Sequence, residues 1–110
     1  MSVYKTMDEA MRDRDAGKFI GLMHDDYQFV SHQSGKTMNK TAFAEMIRGM
    51  MSNDATAIRD QRCLYENDEI LVTHSVMDFP DGTREAVLEF HNLKDGKIIR
   101  TETGATLLSK

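Results

Sequence analysis

The order of elements predicts a two-layer α+β domain: helix, helix, strand, helix, then a four-strand meander, with three helices covering one face of a mostly antiparallel sheet. Three observations predict it. Residues 56 to 108 are cut by three tight polar turns, Asn67-Asp68, Asp81-Gly82 and Asp95-Gly96, and Asp-Gly between alternating apolar and polar residues is a strong hairpin signal. The N-terminal half carries apolar residues at helical spacing. Its helices are too few to bury their stripes on one another, so they must pack on the sheet.

Residues 3 to 16 read as a first helix, with Val3, Met7, Ala10 and Met11 on one stripe, Tyr4 at its margin, and Asp8, Glu9, Arg12 and Asp13 facing water. Gly17 suits its end. Phe19 to His24 reads as a short second helix, broken by Asp25-Asp26, whose residues suit turns and caps better than paired catalysis. Tyr27 to His32 alternates as a first strand, closed by Ser34-Gly35. Asn39 is the predicted N-cap of a third helix whose apolar face holds Phe43, Met46, Ile47, Met50 and Met51. Ser52-Asn53-Asp54 ends it. The methionines on these helices are read first as core, and second as an adaptable roof over a cavity.

The chain, residues 1–110, is long enough for one core and short for two. A net charge of -4, a pI near 5.5 and the lack of any Lys/Arg run argue against a nucleic-acid partner. No apolar run reaches the length of a membrane span, and the first residues lack the pattern of a signal peptide. One cysteine, Cys63, cannot form an internal disulfide and is expected as an inert buried thiol. A cytoplasmic location is the corresponding expectation.

Short turns fix register, so pairs can be counted outward from them. Placing Pro80 opposite Thr83 sets His74 opposite Glu89. Counting from Asp95-Gly96 sets Glu89 opposite Glu102 and His91 opposite Arg100. Counting from Asn67-Asp68 sets Gln61 beside His74 and Cys63 beside Val72. One face then carries Gln61, His74, Glu89 and Glu102 in one row, and Cys63, Val72, His91 and Arg100 in the next. A three-residue loop at Pro80 would instead send His74 and Glu89 to opposite faces. On this count Ile58, Met77, Ala86, Leu88, Phe90 and Ala105 share the other face with Thr73, Ser75, Thr101 and Thr103.

The element order, the His24-Asp25-Asp26 step and the run Phe90-His91-Asn92-Leu93-Lys94-Asp95-Gly96-Lys97-Ile98 resemble the NTF2-like superfamily. Within it the chain is most similar to the SnoaL-like polyketide cyclase and ketosteroid isomerase group. The resemblance spans almost the whole chain and implies a cone: a curved sheet wrapped on three N-terminal helices, with a cavity in the concave face. In SnoaL-like cyclases the catalytic Asp stands seven residues before the Gly of the Asp-Gly-Lys turn, a position held here by Glu89. The family's aromatic two residues on is replaced by His91. The isomerase's base, five residues after the Asp-Asp pair, corresponds to Ser31, and its helix-one Tyr to Ala10. Isomerisation of a steroid by that mechanism is disfavoured.

The sequence thus nominates His74, Glu89 and His91 as catalytic. A carboxylate paired with an imidazole raises its basicity, as a general base requires. Gln61, Ser31, His32, Arg100, Glu102 and Tyr4 are nominated for substrate binding. Parity with Phe29 turns Ser31 inward and leaves His32 at the rim. The alternatives are a His–Glu pair that only fixes register, an exposed His91, and a metal set of His74, Glu89 and His91. The last is the lesser reading, so no metal and no cofactor are expected. The function expected is cofactor-free acid/base chemistry on a small, partly apolar molecule. The alternative is a non-catalytic ligand-binding or assembly domain. A homodimer through the sheet face opposite the pocket is the expected assembly.

Overall fold

The computed structural model describes residues 2–109. It has helices α1 (Val3–Arg12), α2 (Ala16–Ile20) and α3 (Lys40–Ser52) and strands β1 (Met23–Ser31), β2 (Lys36–Asn39), β3 (Ala57–Glu66), β4 (Ile70–Asp78), β5 (Arg84–Lys94) and β6 (Lys97–Leu108). The strands form one sheet in the order β2-β1-β6-β5-β4-β3. β1 and β6 run parallel, and the other neighbours are antiparallel. The α+β architecture is the one expected, and β2 is an addition to it.

Caps set the helix bounds. Ser2 accepts from Lys5 N–H at 3.1 Å, and the Glu66 carboxylate receives Ser2 Oγ–H at 2.6 Å and Val3 N–H at 2.9 Å. A carboxylate from the far end of β3 therefore sits on the positive end of α1. Asp15 captures Lys18 N–H at 3.0 Å, so α2 starts at Ala16 and ends before the residues expected to close it. Gly17 lies inside α2. Asn39 caps α3 through Ala42 N–H at 2.9 Å. At the other end of α3, Arg14 donates to the carbonyls of Met50, Met51, Asn53 and Thr56 at 2.7–3.1 Å. These bonds occupy carbonyls that the helix leaves free.

The core lies between the helices and the concave face. Phe43 of α3 is its hub, with ring centroids 4.9 Å from Tyr27, 4.9 Å from Phe29 and 6.2 Å from Phe19. Met7, Ala10, Met23, Ile47, Leu71 and Ile98 fill the rest.

The hairpin registers depart from simple counting at five places. Phe79, not Pro80, faces Thr83: Phe79 N–H donates to Thr83 C=O at 3.0 Å, leaving Pro80-Asp81-Gly82 as a three-residue loop. Proline has no N–H to give to the closing pair, and Gly82 adopts φ 87°, the left-handed residue such loops need. His74 accordingly pairs with Leu88, and Glu89 with Thr73. The Asp95-Gly96 turn closes as expected, with Lys94 opposite Lys97, but an irregularity after Leu93–Ile98 sets Asn92 opposite Arg100, His91 opposite Thr101 and Glu89 opposite Thr103. At the β3–β4 turn Asn67 N–H donates to Ile70 C=O at 2.9 Å, one residue along from the predicted turn. Two further shifts, around Asp60-Gln61 and at Leu64, break the β3–β4 ladder.

Each bulge reverses which face a residue takes. The sequence reading had β5 the right way round relative to the cavity but β4 and β6 reversed. Thr73, Ser75, Thr101 and Thr103 are buried on the concave side. Ile58, Met77 and Ala105 line the cavity rather than the outer face, where Ala86, Leu88 and Phe90 remain. Cys63 is exposed, opposite Thr73 rather than Val72.

Candidate functional site

β5 runs through the middle of the sheet, and its odd-numbered residues face the helices. Glu89 is flanked by Thr73 of β4 and Thr103 of β6, and His91 by Leu71 and Thr101. A cavity of about 340 Å³ opens above Glu89. Its walls are mostly apolar: Met7, Met11, Met46 and Met50 from the helices, Met38 and Met77 from the sheet, and Phe19, Phe29 and Phe43. Polar groups enter at Glu89, Gln61, Ser31, Ser75 and Thr103, and Lys36 and Glu85 also line it. Apolar walls with a few convergent polar groups are the usual make-up of a small-molecule pocket.

Behind Glu89 lies a buried polar group. His91 Nδ1 is 2.7 Å from Thr101 Oγ1, and its Nε2 lies 3.6 Å from Glu89 Oε1 with no hydrogen-bond partner among the described residues. Thr73 Oγ1 donates to the same Glu89 oxygen at 3.3 Å. Burial works against the charged form of Glu89. The pull of the His91 ring and the Thr73 hydroxyl outweighs it, and the carboxyl lies below its ordinary value. Tyr27, also buried, has a hydroxyl without a hydrogen-bond partner among the described residues. Burial pushes its phenol far up. Glu89 is thus a carboxylate at neutral pH, with its basicity tempered by its neighbours.

The nominated residues divide into three groups. Glu89, Gln61 and Ser31 line the cavity, and His91 stands directly behind Glu89. Gln61 sits in the β3 bulge and donates to Asp8 of α1 at 3.3 Å. His74, Arg100 and Glu102 are corrections: they lie on the outer face, where His74 stands between Arg62 and Leu88 and Arg100 pairs with Glu102 at 3.1 Å. His32 reaches the same Glu102 at 3.3 Å, and hence also lies off the cavity. Tyr4 is half-buried in α1 and is not part of the cavity wall. With His74 on the far side of the sheet, the metal set that paired it with Glu89 and His91 has no geometric basis; among the described residues no cluster of three metal-ligating side chains occurs.

Sequence reasoning missed Thr73, Thr101 and Tyr27. The threonines were assigned to the wrong face by register. Tyr27 was within reach, because it shares strand parity with Phe29 and Ser31, the two residues used to turn β1 inward.

A cone of this element order with a concave-face cavity defines an NTF2-like α+β protein. A profile of the SnoaL-like domain matches residues 4–101, and the chain belongs to that family. Similar solved structures include an NTF2-like protein of unknown function from Mesorhizobium loti (TM-score 0.81, 11% identity, 94% of this chain and 88% of that one). A candidate ketosteroid isomerase from Kribbella flavida is another (TM-score 0.78, 12% identity, 98% and 78%). A candidate polyketide cyclase from Xanthomonas campestris is a third (TM-score 0.74, 16% identity, 92% and 85%). At these identities the likeness is one of fold. No curated protein matches the chain. Among the described residues no helix is long and apolar enough to cross a membrane.

Proposed function

We propose that this protein is a cofactor-independent acid/base enzyme in which Glu89 moves a proton at a carbon next to a carbonyl. The observation that carries the reading is the placement of Glu89. Its carboxylate lines an apolar cavity while its Oε1 is held between His91 and Thr73. A base must be ionised, within reach of the substrate and fixed in direction; the lowered carboxyl, its place in the cavity wall and its contacts to His91 and Thr73 support Glu89 in that role.

A carboxylate base narrows the substrate. A weak base deprotonates only an acidic C–H, so the favoured class is a molecule whose reacting carbon lies between two carbonyls. The thioether and aromatic walls suit a flat, polarisable remainder, since methionine sulfur packs well against rings. In the reaction Glu89 takes the proton, the enolate forms inside the cavity, and protonated Glu89 returns the proton at the same or a second position. The Thr73 hydroxyl and the His91 ring hold the carboxylate in place. Ser31, Gln61, Ser75, Thr103 and Lys36 are among the cavity groups able to hydrogen-bond the carbonyl oxygens.

The test is solvent deuterium incorporation into an aryl-substituted β-keto ester, followed by NMR. The wild type should speed exchange, and Glu89→Gln should lose about 10²–10⁴-fold of that acceleration. The probe bound in the cavity, with no exchange above background, would instead support the non-catalytic binding domain. That second reading draws on Ser31 and Ala10 standing where the isomerase base and tyrosine would be.

The assembly we propose is a homodimer through the outer sheet face. Leu88 and Phe90 are 48% and 37% exposed there, side by side with His74 and Val72 of the adjacent strand.

A further inference from the structure

We infer that His91 is held as its Nε2–H tautomer, the ring's one proton facing Glu89, and that Thr101 is a positioning residue whose hydroxyl donates to the Nδ1 this leaves as an acceptor. The inference rests on the reading of Glu89 as the acid/base group, but its chemistry can be read without any substrate.

A neutral imidazole carries one N–H, and the bond made by one nitrogen decides the role of the other. At 2.7 Å His91 Nδ1 and Thr101 Oγ1 share a hydrogen bond, and either atom could donate. The other nitrogen removes the ambiguity. His91 Nε2 is buried and has Glu89 Oε1 at 3.6 Å as its ion-pair partner, with no other hydrogen-bond partner among the described residues. Were the proton on Nδ1, Nε2 would turn a lone pair toward a carboxylate, setting two acceptors against each other where water cannot intervene. With the proton on Nε2 the ring presents a donor to the negative charge. Thr101 then supplies the hydrogen that Nδ1 accepts.

The surroundings fit this assignment. Thr101 is 1% exposed and His91 3%, so neither can exchange its partner for water. The β5–β6 ladder places the two directly opposite each other, which fixes their separation through the backbone. Tyr27 interacts with Thr101, and its buried hydroxyl has no full hydrogen bond of its own. The polar groups lie along one path: Thr101 hydrogen-bonded to His91, and His91 facing a carboxylate that accepts from Thr73. Valine has the shape of threonine and lacks its donor, so the sequence choice at position 101 has chemical content.

The experiment is two-bond ¹H–¹⁵N correlation NMR of histidine-labelled protein at neutral pH, without ligand. The wild type should show His91 as the Nε2–H tautomer with an unprotonated, hydrogen-bonded Nδ1. Thr101→Ser should keep that pattern. Thr101→Val should keep the Nε2–H form, because Glu89 still faces Nε2, but move the Nδ1 resonance to that of a nitrogen without a hydrogen-bond donor, with a dispersed spectrum as the check on folding. An Nδ1–H ring or an imidazolium in the wild type would overturn the assignment, and so would a folded Thr101→Val indistinguishable from wild type. If the valine variant does not fold, the wild-type tautomer and the serine variant decide. An Nε2–H wild type that catalyses no deuterium exchange sinks the enzymatic reading of Glu89 and leaves the Thr101 assignment standing.

Discussion

Burial alone would raise the pKa of Glu89, and the His91 ring with the Thr73 hydroxyl reverses the direction. The same balance runs further at Asp78, where Arg84 donates to both carboxylate oxygens, at 2.5 and 3.1 Å, and Arg59 donates at 2.6 Å. These hydrogen bonds hold the Asp78 carboxyl far below its ordinary value. A carboxyl depressed on folding contributes stability that is complete above its unfolded value of about 3.9 and is lost as the pH falls through its folded value. Asp78→Asn should therefore lower Tm at pH 7, and the gap to wild type should begin to narrow below about 3.9 and close only once the pH passes the folded value; thermal melts down that range check this. A gap that stays constant would show that the arginines act through packing alone. Arg14 is the other side chain with several partners, reaching four backbone carbonyls at the end of α3. Losing charge-assisted bonds at a helix C-terminus costs about 1–2 kcal/mol at an exposed site, so Arg14→Ala should show that loss in urea denaturation. Arg14→Lys should recover only part of it, because an ammonium cannot fork across several acceptors. None of these contacts was legible in the sequence, since each depends on a strand register or a packing arrangement that only the finished fold sets.

At the scale of elements, the legible part was what periodicity and turn chemistry encode locally. Helical stripes around Met7 and Ile47, the N-cap at Asn39 and the Asp95-Gly96 turn all pointed to the elements found. The bulges escaped because they are compromises between neighbouring strands. Asp60 shows this: it adopts φ 51° where the β3–β4 ladder slips, a left-handed conformation that no pattern around it signals. Such a slip exchanges the two faces for every residue beyond it, and the three-residue loop at Pro80 does the same to β4, which is how His74 was expected inward and Thr73 outward. The cavity needs these bulges, because they bend the sheet around the helices. A left-handed residue with a side chain carries strain of about 1–2 kcal/mol, and Asp tolerates it better than most. Asp60→Gly should therefore be neutral to stabilising by up to about 1 kcal/mol, with chemical shifts at Gln61 unchanged. A marked loss of stability would mean that the carboxylate, not the backbone, holds the bulge. The core around Phe43 predicts the opposite sign: Phe43→Ala removes the ring that touches three others and should cost about 3–5 kcal/mol in a denaturant titration.

For the whole molecule, the sheet has one face covered by helices and one left with Leu88 and Phe90 exposed. Burying apolar surface yields roughly 25 cal/mol per Å², and a two-fold contact is the commonest way a small domain does so. Light scattering should find a dimer for the wild type and a monomer for Phe90→Glu; a monomeric wild type, or a mutant that stays dimeric, removes this interface. The inner face carries the central claim, that Glu89 backed by His91 is an ionised base in an apolar cavity. The most direct measurement is the pH dependence of deuterium exchange into the β-keto ester probe, in wild type and Glu89→Gln. A base below its ordinary value predicts acceleration that is level from neutral pH down past about 4.3 and falls only below it, and that is absent in the glutamine variant. A wild-type profile that falls well above that pH, or acceleration that survives Glu89→Gln, would contradict the account.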